Sequence, residues 1–155
     1  MKLIDTVTQK EFEAQITEVE RIDYKIIKAN KQFDFEWSKE QFNHVFKLVR
    51  ANSNTNEILG LISLIDIPKE LRIYVSLLES SKNNRGKHKK VDKIAGCLLA
   101  FATQVSFEKG YLGFISLIPK TALIKLYVEK YGFSRYGRQL AIEGKASVNL
   151  IQKYL

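Results

Sequence analysis

The clearest hydrophobic pattern of the chain lies between Leu71 and Phe133. An apolar run over Leu71–Glu79 predicts a strand, and apolar positions at helical spacing within Val91–Lys109 predict a helix that ends at Gly110. A second buried strand, over Tyr111–Leu117, and a second helix, over Pro119–Gly132, follow. Because parallel strands need a crossover of this length, the first three elements predict a βαβ unit.

The residues before this unit predict a meander of three strands. The segments Asn43–Arg50, Ile58–Ile67 and Leu71–Ser80 are apolar and are separated by polar or proline-containing turns. Ile58–Ile67 is apolar on both faces, which predicts a central strand.

The outer segments carry weaker patterns. Partial alternation over Ile16–Lys28 predicts a long, partly exposed strand, and Phe33–Trp37 predicts a short extended segment whose aromatic side chains cover the core. Ser38–Gln41 is typical of a helix start or a turn. Arg138–Glu143 predicts a last strand, and a terminal helix over Ala146–Leu155 follows. We expect that helix to turn Val148, Ile151 and Leu155 inward.

Taken together, the element order predicts a mixed α+β or α/β fold. Its sheet would be mostly antiparallel, with a central parallel crossover and helices on both faces. No repeat or linker interrupts the pattern, so we expect residues 1–155 to form a single domain.

Composition narrows the class of protein. The chain is 45% apolar and 27% charged, which is typical of a folded globular protein. The start of the chain predicts no signal peptide and no apolar run is long enough for a membrane helix, so we expect a cytoplasmic protein without membrane contact. Its single cysteine, Cys97, is expected to be a packing residue, and no metal-binding spacing is present.

Positive charge is concentrated in the loop before the first predicted helix. Six Lys or Arg residues between Lys82 and Lys93 face Asp92 alone, which gives this window +5 of the formal +8. Such a run is often a solvated loop. Its place between a strand end and a helix start also suits a phosphate-bearing ligand, because helix N-termini attract anions.

These features resemble the GNAT superfamily of acetyl-CoA-dependent N-acetyltransferases. The resemblance covers about residues 44–143 and rests on the basic turn, on Ile94–Leu99, and on Ala122–Phe133 with its Leu-Tyr…Glu-Lys-Tyr-Gly-Phe ending. It implies acetyl-CoA as co-substrate, an amine acceptor, no metal, and direct attack of the amine on the thioester in a ternary complex.

The resemblance also implies cofactor-binding residues, and two alignments of the pyrophosphate loop are open. One uses Arg85-Gly86-Lys87, with His88 in place of the next glycine. The other, which we favour, builds the cradle from Lys90 to Gly96 and puts Lys93 on a glycine position. The implied cofactor residues are Leu77, Leu78, Ser80, Arg85, Gly86, Lys90, Lys93, Ile94, Ala95, Gly96, Ser116 and Thr121.

Two residues are the leading candidates for catalysis, and each has a weaker alternative. Tyr127 would protonate the departing thiolate, with Tyr131 as the weaker alternative, and Glu79 or less favourably His88 would act as the base. Each also has a structural interpretation, Tyr127 as a core aromatic and Glu79 as a strand-end carboxylate paired with a lysine.

The leading hypothesis is an N-acetyltransferase with an amine acceptor of unknown identity. The alternative is a non-catalytic GNAT-like or basic module that binds a protein partner or nucleic acid, although the loop has no recognised base-reading motif. A homodimer is possible because an edge strand is expected near the C-terminus.

Overall fold

The computed structural model describes residues 1–155 and contains nine strands and four α-helices. The strands are β1 Lys2–Asp5, β2 Lys10–Glu18, β3 His44–Arg50, β4 Ile58–Ile67, β5 Arg72–Ser80, β6 Val91–Asp92, β7 Ile115–Leu117, β8 Ser134–Tyr136 and β9 Gln139–Ile142. The helices are α1 Arg21–Asn30, α2 Ile94–Glu108, α3 Ile124–Tyr131 and α4 Gly144–Tyr154. Short 3₁₀ turns precede several of these elements.

The chain is organised as two compact units, and β4, β5 and α2 each contribute residues to both. The first unit comprises Met1–Ser63 and Leu77–Leu98, and its strands are ordered β6-β1-β2-β3-β4-β5. The second comprises Leu64–Ser76 and Leu99–Leu155, with the order β4-β5-β7-β9-β8. The expectation of a single domain stays a prediction.

The predicted crossover is confirmed. Strand β5 pairs in parallel with β7 over three residue pairs, from Ile73↔Ile115 to Val75↔Leu117, and α2 connects the two strands. The ladder ends at Val75, whereas β5 continues to Ser80. The mixed, mostly antiparallel sheet predicted from the element order is also confirmed.

The long strand predicted over Ile16–Lys28 is wrong, because α1 takes its second half. Glu20 and Asp23 form a reciprocal capping box at the start of this helix. Asp23 and Ile27, four residues apart, are its buried positions, and Ile22 is 56% exposed. The buried positions therefore follow the spacing of a helix rather than the alternation of a strand, and one of them is charged.

The predicted start of the long helix at Val91 is also wrong. Val91 and Asp92 form β6, which pairs antiparallel with Asp5 and Ile4 of β1, and α2 begins at Ile94. This pairing joins residues far apart in the sequence, so the local periodicity that predicted the helix contains no sign of it. It seats the end of the basic loop on a sheet edge.

Two elements of the crossover region are shorter than predicted. Strand β7 covers only Ile115–Leu117, because Leu112 and Gly113 adopt left-handed φ angles of 56° and 74° that no strand accommodates. Helix α3 begins at Ile124 rather than at Pro119, after a 3₁₀ turn over Thr121–Leu123.

The terminal helix is present, but it buries a different face from the one predicted. The buried positions of α4 are Ser147, Leu150 and Tyr154, whereas Val148 and Leu155 are exposed. Ser147 is inward because its hydroxyl donates to the carbonyl oxygen of Gly113 at 2.7 Å. A polar residue therefore defines the inner face, which a count of apolar positions cannot detect.

Helix α2 lies close to strand β4 at Gly60. A Cβ atom added at Gly60 would lie 2.6 Å from Cγ2 of Ile94 and 3.0 Å from Cδ1 of Leu98. Both helix residues are buried, and Ile94 is the first residue of α2. The missing side chain at Gly60 thus sets how closely the start of α2 approaches the sheet.

We expect Gly60→Ala to lower the free energy of unfolding by about 1–3 kcal/mol, because the added methyl group overpacks the contact with Ile94. Urea denaturation followed by circular dichroism measures this. In an Ile94→Ala background the same substitution should cost clearly less, because the clashing Cγ2 is gone. An equal cost in both backgrounds would contradict the contact.

Candidate functional site

The basic loop folds back on itself between the end of β5 and the start of α2. A 3₁₀ turn over Lys82–Asn84 opens it, and the Lys90 amide donates to the carbonyl oxygen of Asn83 at 3.0 Å to close it. The carbonyl oxygen of Lys90 in turn accepts from the Thr6 amide at 2.9 Å. These bonds bring the last residues of the loop to a fixed place beside α2.

The start of α2 has the features of an anion cradle. Cys97 makes an intrahelical bond to the carbonyl oxygen of Lys93 at 3.0 Å, so the preceding amides of Ile94, Ala95 and Gly96 have no acceptor four residues back. Lys93 adopts a left-handed φ of 76°, the conformation that glycine takes most readily. The geometry therefore agrees with the alignment that places Lys93 on a glycine position.

An acidic side chain already occupies part of this helix start. Oδ1 of Asp92 accepts from the Lys93 amide at 2.8 Å and forms an ion pair with Nζ of Lys89 at 3.1 Å. Sequence reasoning counted Asp92 only as a charge and missed this contact. An anion entering the cradle would meet the Asp92 carboxylate.

Arg85, one of the implied cofactor residues, is committed to protein partners. Its guanidinium donates to Glu79 Oε2 at 2.7 Å, to Asp34 Oδ2 at 2.8 Å and to the carbonyl oxygens of Ser80 and Gln32 at 2.7 and 3.2 Å. Gly86 lies in the exposed turn after it, with a φ of 70°. The first half of the loop is therefore held by hydrogen bonds of Arg85 to the protein itself, which disfavours the alignment that begins at Arg85.

Half of the six loop cations form ion pairs. Lys82 contacts Asp34 at 3.0 Å, Arg85 contacts Asp34 and Glu79, and Lys89 contacts Asp92. Lys87, Lys90 and Lys93 form none. The unpaired charge therefore lies in the second half of the loop, next to the cradle.

Glu79 is buried and fully hydrogen-bonded. Only 5% exposed, it accepts from the Asp34 amide at 2.7 Å and Arg85 at 2.7 Å through Oε2, and from the Phe35 amide at 3.3 Å and the Trp37 indole at 2.8 Å through Oε1. A carboxylate offers about four lone-pair sites, and all are used. The geometry therefore disfavours Glu79 as the base and gives it a structural contact that the sequence did not indicate.

The other implied residues of β5 lie beyond its ladder with β7. Leu77 packs against the core cluster that contains Trp37 and Leu61, and Leu78 is half-buried. Ser80 uses its carbonyl oxygen to accept from Arg85. These residues form the part of β5 that extends past Val75, where the family would pair its free backbone with the pantetheine arm.

Ser116 and Thr121 belong to different surroundings. Ser116 in β7 is 3% exposed, and its hydroxyl accepts from Nη1 of Arg72 at 2.5 Å, so this side chain is already used. Thr121 is exposed and borders an open groove of about 570 Å³ between α3 and β8. The groove is also lined by Ile124, Lys125, Val128, Glu129, Phe133, Ser134 and Arg135.

Tyr127 lies on α3 among aromatic rings. Its ring meets Phe133 edge-on at 5.5 Å between centroids and lies 5.8 Å from that of Tyr131. Burial raises the pKa of the Tyr127 phenol above its ordinary value of 10.0, so the group keeps its proton at neutral pH. A half-buried, protonated phenol suits a proton donor, and the same ring contacts suit an aromatic residue that packs on the core.

The segment between α1 and β3 adjoins this network. Phe33 and Trp37 are core residues, as expected, but Phe33–Trp37 forms no strand, and Trp37 opens a 3₁₀ turn over Trp37–Glu40. A cavity of about 240 Å³ lies between α1 and the start of β3. It is lined by Val19, Arg21, Tyr24, Gln41, Asn43 and Val45.

Comparison with known proteins identifies the fold. No protein-family model and no curated protein matches the sequence. Solved structures do match, among them the spermidine/spermine N-acetyltransferase SpeG from Vibrio cholerae, with a TM-score of 0.60, 19% identity, and coverage of 88% of this chain and 96% of that one. The chain has the GNAT fold.

Other GNAT structures match over similar lengths. The NatC complex bound to Gag peptide and CoA gives a TM-score of 0.57 at 18% identity, covering 85% of this chain and 99% of that one. AtaTR bound with acetyl-CoA gives 0.58 at 13% identity, with coverage of 89% and 98%. At these identities the likeness concerns the GNAT fold alone.

Two kinds of feature, a membrane-spanning helix and a group of metal-binding side chains, are absent from the structure. No helix is long and apolar enough to cross a membrane. No group of three or more His, Cys, Asp or Glu side chains is arranged to hold a metal ion.

The left-handed conformation of Lys93 predicts a stability order among its variants. We expect Lys93→Gly to be more stable than Lys93→Ala by about 1 kcal/mol, because both lack the lysine side chain and only alanine strains the positive φ. Chemical denaturation of both variants measures this difference. Equal stabilities, or a more stable alanine variant, would contradict the glycine-like position of Lys93.

Proposed function

We propose that the protein is an N-acetyltransferase that transfers the acetyl group of acetyl-CoA to an amine. The observation that carries this proposal is the start of α2, where Lys93 takes a glycine-like conformation before the amides of Ile94, Ala95 and Gly96. The GNAT fold supports it, as do neighbours whose structures contain CoA or acetyl-CoA.

In this proposal the pyrophosphate binds the amides of Ile94–Gly96, because the helix N-terminus supplies free donors and a positive dipole end. Lys87, Lys90 and Lys93 add charge beside them. The pantetheine arm pairs with the backbone of Leu77–Ser80, where β5 runs past its ladder with β7. Arg85 acts indirectly, by holding the first half of the loop in place.

When bound, acetyl-CoA supplies a thioester whose carbonyl carbon accepts the amine nitrogen as the C–S bond breaks. Tyr127 donates a proton to the sulfur, since its half-buried phenol, whose pKa is raised, is protonated at neutral pH. The proton of the amine passes to solvent water, because the Glu79 carboxylate has no oxygen left to accept it.

The acceptor is an amine that enters beside the segment between α1 and β3. The neighbours differ in what they bind: SpeG is a spermidine/spermine N-acetyltransferase, NatC is bound to a Gag peptide, and AtaT is bound to acetyl-methionyl-tRNA, which already carries an acetyl group. Arg21, Gln41 and Asn43 line the cavity in that region without a carboxylate among its lining residues. This lining supplies hydrogen-bonding groups and one positive charge, and it lacks the negative charge that would pair with a polyamine.

A second candidate is a GNAT-fold module that binds an anionic partner without catalysis. The specific observation in its favour is the contact between Asp92 and the Lys93 amide, which opposes a pyrophosphate. In that case the unpaired lysines would contact a polyanion, and the binding affinity would fall steeply as the salt concentration rises.

Isothermal titration calorimetry with acetyl-CoA separates the two candidates. We expect one molecule bound per chain, with an affinity that Lys90→Gln combined with Lys93→Gln lowers about 10- to 100-fold. Lys145→Gln combined with Lys153→Gln, which removes the same two charges from exposed positions of α4, is the control and should bind normally. If tripolyphosphate or heparin binds and acetyl-CoA gives no heat of binding, the proposal of an acetyltransferase is overturned.

Replacing the Tyr127 phenol tests its role as a proton donor. We expect Tyr127→Phe to lower kcat by about 10²- to 10⁴-fold while acetyl-CoA still binds. Release of free thiol from acetyl-CoA, measured with spermidine, a peptide N-terminus and a lysine peptide as acceptors, gives the rate. Any alkaline decline of the wild-type rate that comes from Tyr127 should have its midpoint above the ordinary phenol pKa of 10.0, because burial raises the pKa of this phenol.

Tyr136→Phe, which removes the hydroxyl of an exposed tyrosine in β8, is the matched control and should leave kcat unchanged. Full turnover by Tyr127→Phe with the same acceptor would remove Tyr127 from the mechanism and leave it as a packing residue.

A further inference from the structure

We infer that Glu79 is a positioning residue that holds the segment Gln32–Trp37 against the basic loop, so that cofactor binding at the start of α2 is transmitted to this segment. The inference rests on the proposed function for the location of the cofactor. It assigns Glu79 the role of coupling the cofactor loop to the acceptor side, in place of proton transfer.

The first argument is the distribution of donors around the carboxylate. Three of the four hydrogen bonds to Glu79 come from the Asp34 and Phe35 amides and the Trp37 indole, and the fourth comes from Arg85 of the basic loop. A buried charge is tolerated only when it is hydrogen-bonded and paired. Glu79 is therefore stable at 5% exposure only while both the segment and the loop stay in place.

The second argument is that the same segment contacts the loop directly. The carbonyl oxygen of Gln32 accepts from the Lys82 amide at 2.9 Å, and its side-chain Oε1 accepts from the Asn83 amide at 3.2 Å. Asn83 accepts in turn from the Lys90 amide at 3.0 Å. A continuous hydrogen-bond network thus runs from the Trp37 indole through Glu79 and the loop to Lys90, which belongs to the cradle.

The third argument is chemical. A glutamine at position 79 has one acceptor oxygen and one NH₂ donor, so it can keep only the bonds to one carboxylate oxygen: those from Arg85 and the Asp34 amide, or those from the Phe35 amide and the Trp37 indole. In either orientation its NH₂ group would face two N–H donors. Glu79→Gln therefore cannot bridge Arg85 and the Trp37 indole, while it changes the side-chain volume little.

Trp37 is the only tryptophan of the chain, so tryptophan fluorescence reports on the surroundings of Trp37, which include the Glu79 contact. We expect Glu79→Gln to shift the Trp37 emission and to speed hydrogen exchange of the Asp34 and Phe35 amides about tenfold or more, as the loss of a hydrogen bond to a charged group implies. Asp34→Asn is the matched control. It removes the exposed ion pairs to Lys82 and Arg85 but leaves the backbone donors to Glu79, so exchange should change less than about threefold.

The decisive measurement adds saturating acetyl-CoA. In the wild-type protein, exchange of the Asp34 and Phe35 amides should slow at least about threefold, and in Glu79→Gln acetyl-CoA should bind without slowing it. A role confined to stability would leave no difference between the cofactor responses of the two proteins. If Glu79→Gln fails to fold, Arg85→Gln removes the same link from the loop side and carries the test.

The outcomes separate the two proposals. Acetyl-CoA binding to the wild-type protein without any effect on these amides would overturn the coupling and leave the acetyltransferase intact. An absence of acetyl-CoA binding would overturn both, and calorimetry alone reveals it. The Glu79→Gln variant could instead keep the wild-type exchange rates of the Asp34 and Phe35 amides and lose the acidic limb of the pH profile of kcat. That result would overturn the positioning role and restore Glu79 as the base.

Discussion

A charged group at 5% exposure dictates what must surround it, and the Glu79 carboxylate is that constraint here. Water cannot solvate it, so the protein supplies two backbone amides, an indole and a guanidinium instead. This requirement fixes the conformation of Phe33–Trp37, which has no regular structure until the 3₁₀ turn at Trp37, and draws Arg85 inward. The first half of the basic loop is thereby ordered by an acid at the end of β5 rather than by a ligand.

Much of the fold could be predicted from the sequence because its central elements carry strong local signals. Strands β3, β4 and β5 and helix α2 follow directly from apolar runs and helical spacing. The helix at Arg21–Asn30 was missed because Ile22, Tyr24 and Ile26 alternate as strand residues would, whereas its buried positions are Asp23 and Ile27. Strand β6 was missed because its partner, β1, lies more than eighty residues away, and a pattern of neighbours carries no information on such a pairing.

The residues of the candidate site can be sorted in the same way, into those with a local sequence signal and those whose partners are distant in the sequence. The sequence predicted the helix and the basic loop before it, because apolar positions at helical spacing after a run of lysines are local features, although it placed the start of the helix three residues too early, at Val91. It could not indicate that Arg85 and Ser116 were already bonded, since their partners, Asp34 and Arg72, belong to segments that only the tertiary structure brings near. Likewise, Glu79 reads as a strand-end acid in solvent until the Trp37 indole is found beside it.

The formal charge of the basic loop is larger than the number of its cations that are left unpaired and could contact a phosphate. The window carries +5, but Asp34 and Glu79 lie outside it and pair with Lys82 and Arg85. Asp92 neutralises Lys89 and also accepts from the Lys93 amide, which leaves Lys87, Lys90 and Lys93 as the free cations. A cation that is paired with a carboxylate in the loop attracts an anionic ligand only weakly. Three unpaired lysines beside a helix N-terminus attract such a ligand more strongly. The positively charged segment therefore has two halves: in the first, Lys82 and Arg85 pair with acids and order the loop, and in the second, Lys87, Lys90 and Lys93 form no ion pair and lie before the start of α2.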